Sequence, residues 1–292
     1  MILLFSAFLN AQSSEEVREA EVAGMFYPGK PADLTNMLNG YLQKTEKIVE
    51  GDILGLVSPH AGYVYSGPVA AWSYKQIEGN SYDVVVVIAP SHFQHFSGAS
   101  IYSGKYYETP LGKIPIHQDL AKKLAEASPD IKLSTAGHDP APGGRGEHSL
   151  EVQLPFLQKM LGDFQLIPIV IADQGWENTQ TLGDALATVL KDKKALIVAS
   201  SDLSHYHSYD EAYKLDETLI DFFAEFEFQK ILQGCQSNQL EACGAGPIAV
   251  MMYACSKMGC KNSKVLKYAT SGDVSIGEKA QVVGYLSGAV YK

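Results

Sequence analysis

Four short apolar runs constrain the fold more than any other feature of the chain: DILGLVSP (52–59), YDVVVVIAPS (82–91), FQLIPIVIA (164–172) and KALIVASSD (194–202). They are rich in β-branched residues and nearly continuous. An alternating strand keeps one wet face, whereas a continuous one is buried on both. Such a sheet needs helical layers, and helical patterns stand between and after the runs: GPVAAWSYKQIEG (67–79), HQDLAKKLAEAS (117–128), SLEVQLPFLQKMLG (149–162), NTQTLGDALATVLKD (178–192) and EAYKLDETLIDFFAEF (211–226). Interleaving of this kind predicts an α/β fold with a mostly parallel central sheet flanked by helices on both faces. Near the end, VLKYATSGDVS (265–275) and AQVVGYLSGAVY (280–291) read as two antiparallel strands joined by a turn.

Of the 292 residues, 46% are hydrophobic and 19% charged, enough apolar material for one large core. No linker, charge run or repeat divides the chain, so residues 17–292 read as a single domain. The formal net charge of −10, with Lys and Arg dispersed, argues against nucleic acid as a partner. No apolar run reaches the roughly 18 residues of a membrane span. The opening ILLFSAFL resembles a short signal-peptide core with Ala11 as a cleavage point, although no Lys or Arg precedes it. Residues 1–16 are therefore read as a targeting remnant outside the fold. The expected location is the cytoplasm, with export the alternative if residues 1–11 act as a signal.

Three of the strand candidates lead into histidines: His60 after GLVSP, His92 after VIAPS, and His205 a few residues after IVASSD. In open α/β sheets the carboxyl edge is where ligands bind, because strand ends and helix N-termini aim free polar groups into one crevice. A lone histidine is ordinarily a hydrogen-bonded turn residue. Two that repeat a strand–Pro–His pattern point instead to a metal site, with His60 and His92 as ligands and His95 as a competitor for the second position.

Two residues of LEACGAGP (240–247) compete to be the third ligand. Glu241 would give a two-histidine-one-carboxylate site and Cys243 a two-histidine-one-thiolate site. Gly244, Ala245 and Gly246 leave room for close approach there. The other cysteines, Cys235, Cys255 and Cys260, match no zinc or disulfide pattern and read as small buried hydrophobes. Asp202 of SSDLSH either caps the next helix or orients an imidazole that moves protons, with His205 as that acid/base. His148 is read as an outer donor to the crevice, Ser149 as a helix cap with Glu151 at the positive helix end, and Tyr63 as a pocket phenol or a packed turn residue.

PHAGYVYSGPVAA, APSH, EHSLE-Q-LPF, SSDLSH, CG-GP and YLSGAV occur in this order from about Glu21 to the C-terminus, and on them the chain resembles the Memo family. The resemblance implies the fold of the class III extradiol dioxygenases and a cleft that binds one iron or copper ion through His60, His92 and Cys243. Asp202 and His205 match the aspartate and histidine of the family's SSDxxH block. It also implies an oxidoreductase role or, alternatively, a peptide- or partner-binding module in a vestigial dioxygenase cleft. In prokaryotes it implies association with a radical SAM protein and a small companion protein. Where other members show PSHH or CGRxP, this chain has PSHFQH and CGAGP, so no basic side chain stands beside Cys243.

Overall fold

The computed structural model describes residues 16–140 and 143–292; the targeting segment expected at the N-terminus falls almost wholly outside the described residues. In chain order the elements are β1 (Val17–Arg18), α1 (Pro31–Leu42), β2 (Ile53–Ser58), α2 (Tyr63–Lys75), β3 (Val84–Pro90), β4 (Ala99–Tyr102), β5 (Tyr106–Thr109), β6 (Gly112–Pro115), α3 (Gln118–Ala127) and β7 (Ile131–Ser134). They continue with α4 (Leu154–Leu161), β8 (Leu166–Ile171), α5 (Trp176–Val189), β9 (Ala195–Ser200), β10 (Asp202–His207), α6 (Tyr209–Ala224), α7 (Phe228–Gln236), α8 (Ala245–Lys257), β11 (Asn262–Thr270) and β12 (Val282–Tyr291). The four apolar runs are β2, β3, β8 and β9.

A nine-stranded sheet runs in the order β10-β12-β2-β9-β3-β8-β4-β7, with β11 beside β12, and a small sheet holds β1, β5 and β6. The reason for the continuous apolar runs is visible in β3. Val84, Val86 and Ile88 enter one core with residues of α3, α5, α6, α7 and α8. Val85, Val87 and Ala89 enter another with α1, α2 and α4. Each strand thus feeds two cores by turns, as the period of two requires.

The large sheet is mixed, which corrects the expectation of a mostly parallel one. Strands β2, β9, β3 and β8 are parallel neighbours. After β3 the chain returns by a short loop with no crossover helix, so β4 lies antiparallel to β8. At the other edge β12 is antiparallel to β2, β10 and β11. The expected C-terminal antiparallel pair is present.

Local boundaries also shift. Helix α2 starts at Tyr63, ahead of the expected position 67, and carries Pro68 in its first turns. Ser149 is not a helix cap: its Oγ donates to the Pro90 carbonyl (2.7 Å), a 3-10 turn spans Glu151–Gln153, and α4 begins only at Leu154. Glu151 is fully buried, accepting from the Arg18 guanidinium, the backbone N–H groups of Glu21 and Val22, and the Tyr27 hydroxyl.

Candidate metal centre

The carboxyl ends of β2, β3 and β9 lie side by side, and His60, His92 and Asp202 follow them within two residues. Cys243 comes from far along the chain, just ahead of α8. Its backbone is tied to the same strand end: Cys243 N–H donates to Asp202 O (3.2 Å) and Asp202 N–H to Cys243 Sγ (3.3 Å). Gln174 fastens the other side, its Nε2 donating to Cys243 O and its Oε1 accepting from Gly246 N–H, both at 2.7 Å. Gly244 has to be glycine here, since a Cβ would stand 2.2 Å from Ser200 O.

One donor atom each of His60, His92 and Cys243 lie within 4.8 Å of one another, and Cys243 Sγ is 3.1 Å from His60 Nε2. Bonds of about 2.0 to 2.3 Å to imidazole nitrogen and thiolate sulfur bring such donors onto one ion with small rotations. The donor set, two imidazoles and a sulfur, is of the kind that first-row metals such as iron, copper or zinc take.

The orientation of each imidazole follows from its hydrogen bonds. Ser200 Oγ donates its proton to Ser149 O (2.6 Å) and accepts from Gln153 Nε2 (2.8 Å). A hydroxyl has one donor and two acceptor positions, so its remaining role toward His60 Nδ1, 2.9 Å away, is to accept. His60 is thereby the Nδ1–H tautomer, with the Nε2 lone pair facing the sulfur. His92 Nδ1 donates to Glu147 Oε1 (2.9 Å), which leaves its Nε2 for the cleft.

Electrostatics keep His60 neutral. Burial, with His148, His92 and His205 nearby, drives its pKa well below the ordinary value. At His92 burial opposes the charge, but the hydrogen bond and charge of Glu147 outweigh it and raise the pKa. Burial pushes the Cys243 thiol up, so a bound cation is what would make it a thiolate. Burial also raises Asp202 to about 7. Asp202 opens β10 and caps no helix; its Oδ1 accepts from His60 N–H (2.7 Å).

The remaining candidates separate cleanly. Glu241 is turned away from the trio, since its carboxylate holds His207 Nε2 at 2.9 and 3.0 Å and accepts from His205 N–H (3.3 Å). His207 is thus half-buried and paired. His205 donates from Nδ1 to Leu203 O (2.7 Å) and faces the cleft, its pKa lowered by burial. His148 stacks on His92 with ring centroids 4.8 Å apart and forms a wall of the cleft; burial lowers it to about 4. His95 is exposed on the loop after β3 and stands outside the trio. Tyr63 is no pocket residue: it is buried against Phe156 and Tyr27, with its hydroxyl donating to Val152 O (2.6 Å).

Glu147 escaped sequence reasoning. Nearly buried, it accepts from His92 N–H and Nδ1–H and from the backbone of His148 and Ser149, and the histidines hold its pKa down at about 2 against burial. His92, Glu147 and His148 form a second cluster of metal-ligand types. Glu147 is so fully engaged there that the cluster reads as a cage fixing His92. The only available signal was its place in GEHS, beside His148.

The cleft comprises two adjoining cavities, of about 740 Å³ on the His60–His92 side and about 570 Å³ on the Tyr65–Tyr285 side, which share Phe26, His148, Asp202, His205 and Tyr206. Among the described residues no helix is long and apolar enough to cross a membrane.

Comparison with known proteins agrees along nearly the whole chain. The profile of the family described as Memo-like protein matches residues 18–289. A MEMO1 family protein of Methanosarcina mazei is 38% identical, covering 92% of this chain and 97% of its own length. MEMO1 family proteins of Nitrosopumilus maritimus and Thermotoga neapolitana are 36% and 34% identical, covering 92% and 93% of this chain and 98% of each relative.

Proposed function

The chain belongs to the Memo-like protein family, and from that premise we propose that its cleft holds one iron or copper ion through His60, His92 and Cys243 and serves a redox role. One observation carries the proposal: His60 Nε2 faces Cys243 Sγ at 3.1 Å, with its opposite nitrogen committed to a hydroxyl that can only accept. An outer partner that fixes tautomer and ring direction is the ordinary companion of a ligating histidine. Bound there, such an ion supplies a redox couple and open positions for a small ligand. The protein's own part is to hold both imidazoles by Ser200 and Glu147, to anchor the His60 backbone through Asp202, and to exchange protons at His205 Nε2.

The proposal extends to residues 17–292 acting as one dioxygenase-like domain, located in the cytoplasm and working with a radical SAM protein and a small companion. Extradiol ring cleavage itself is disfavoured, because Glu241, the carboxylate it would use, is engaged with His207. Metal analysis of protein purified without oxygen tests the centre. Near-stoichiometric iron or copper is expected, lost in Cys243→Ala and His60→Ala variants that keep the native circular dichroism. Metal-free wild-type protein from both metal-supplemented and plain cultures would sink it.

A second reading, a partner-binding module without turnover, draws on the apolar rim. Met25, Phe93, Tyr206 and Ile276 are all exposed around the two cavities. Exposed apolar patches of this kind mark interaction sites. Retained partner binding in the metal-free Cys243→Ala protein would favour it.

A further inference from the structure

Tyr206 breaks two rules at once. Its φ is +64°, a left-handed conformation that bulky side chains rarely adopt, and the residue is 70% exposed. Phe226 has the same φ sign, but it lies just past the end of α6, where Glu227 N–H reaches back to Phe222 O (2.8 Å), an ordinary way to stop a helix. Tyr206 lies inside strand β10. There His205 and His207 face Val283 and Val282, so two steps on β10 match one on β12 and Tyr206 is the extra residue of a bulge. Bulges re-aim side chains and concentrate beside active sites.

The bulge is braced from both sides by one carboxylate. Glu241 accepts from His205 N–H and holds His207 Nε2, the residues before and after Tyr206. The result is a phenol ring thrown into the cleft, where it lines both cavities and stands edge-on to His205 with centroids 5.7 Å apart. A strained, exposed aromatic persists where the surroundings enforce it for a use.

We infer that Tyr206 is a specificity-determining residue: an aromatic plate at the junction of the two cavities on which a planar ring of the cleft's ligand stacks. The charge of that ligand is constrained as well. The acidic groups lining the 570 Å³ cavity are Asp202 and Glu278, and among the described residues neither Lys nor Arg lines it, whereas Arg145 and Glu21 line the 740 Å³ side. On the 570 Å³ side a neutral or cationic aromatic therefore fits better than an anionic one. The inference deepens the cleft's proposed role by naming a ligand class, but stacking on Tyr206 does not need the ion.

Titration calorimetry with three probes tests it: 2-phenylethylamine, phenylacetate, and 2-cyclohexylethylamine, which keeps the amine and loses the planar ring. Wild-type protein should bind 2-phenylethylamine roughly three- to tenfold more tightly than the cyclohexyl analogue, the range an aromatic pair contributes, and phenylacetate more weakly than either. Tyr206→Phe should keep the preference and Tyr206→Ala should abolish it. Tyr206→Gly separates structure from recognition, because glycine takes positive φ freely: its melting temperature should hold or rise while the preference is lost. The same titrations after chelator dialysis should give the same ranking, so failure of the metal centre would not imitate failure here. The inference is overturned by absence of wild-type binding at millimolar probe, by phenylacetate binding as well as the amine, or by a preference that survives Tyr206→Ala.

Discussion

Ser200 Oγ sits 2.9 Å from His60 Nδ1 while its own proton is committed to the Ser149 carbonyl at 2.6 Å. A residue at the end of β9 thereby fixes the tautomer of a histidine at the end of β2, and it does so through the backbone of the loop that also carries Glu147 and His148. Three chain segments converge on one hydroxyl, which makes the orientation of the His60 ring a property of the sheet edge and not of the histidine's own turn.

Ser200→Ala is therefore expected to weaken metal binding about 10- to 100-fold, the usual effect of removing a partner behind a ligating histidine. The His60 ring would be free to flip its proton to Nε2, and Gln153 Nε2 would keep only the Pro59 and Ser58 carbonyls. Competition with a chromogenic chelator measures it; an unchanged affinity would show that the hydroxyl does not govern the ring.

How much of this was legible in the sequence depends on distance along the chain. Val84 to Ala89 could be read as doubly buried because neighbouring residues show no polar alternation, and the strand-end positions of His60 and His92 followed from that. The partners behind them could not be read, since His60 and Ser200 are 140 residues apart and His92 and Glu147 are 55 apart. Helix α8 escaped for a different reason: Ala245–Cys255 is buried on every side, so it has no amphipathic period to detect. The choice between Glu241 and Cys243 lay just ahead of that helix, and it turns on His207, whose pairing no local pattern announces.

One substitution should act with opposite signs at two glycines. At Gly244 an added Cβ would meet Ser200 O at 2.2 Å and Ser201 Cβ at 2.7 Å, so Gly244→Ala must push the Cys243 turn off the strand end. The expectation is a loss of stability of about 1 to 3 kcal/mol, as for overpacking elsewhere, together with loss of bound metal. Gly40 lies near the end of α1 with nothing among the described residues within 4 Å of its Cβ position, and Gly40→Ala should stabilise by about 0.5 to 1 kcal/mol. Urea unfolding of the two variants checks both signs.

The N-terminal segment is held by Arg18, whose guanidinium reaches Glu151 and the carbonyls of Glu147 and His138 in the interior, and Glu19 O nearer the surface. Glu151→Ala leaves that cation unpaired and should cost about 3 to 5 kcal/mol, whereas the double variant Arg18→Met, Glu151→Leu should recover much of the loss. Equal destabilisation in single and double variants would mean that the Glu21 and Val22 N–H groups and the Tyr27 hydroxyl, which lose their acceptor in both, set the cost and not the ion pair.

Acid should destabilise the fold through His138. His138 is wholly buried, with Nδ1 beside the Tyr107 hydroxyl (2.6 Å) and Nε2 beside the Ser100 carbonyl (3.0 Å). Since the carbonyl can only accept, Nε2 carries the proton and Nδ1 accepts from the phenol, which leaves no room for a second proton. Burial accordingly lowers its pKa to about 3. In the unfolded chain the same imidazole titrates near 6.5, so between about pH 6.5 and 3 the unfolded state binds a proton that the folded state refuses. The sign follows: the contribution of His138 is fully present above pH 6.5 and falls as the pH drops toward 3, by at most about 1.4 kcal/mol per pH unit. His138→Gln, which keeps a side-chain donor and acceptor without the titration, should show a shallower loss of urea midpoint over that window, so that the gap between wild type and variant narrows with acid. Parallel curves for the two proteins would place the acid sensitivity on other groups.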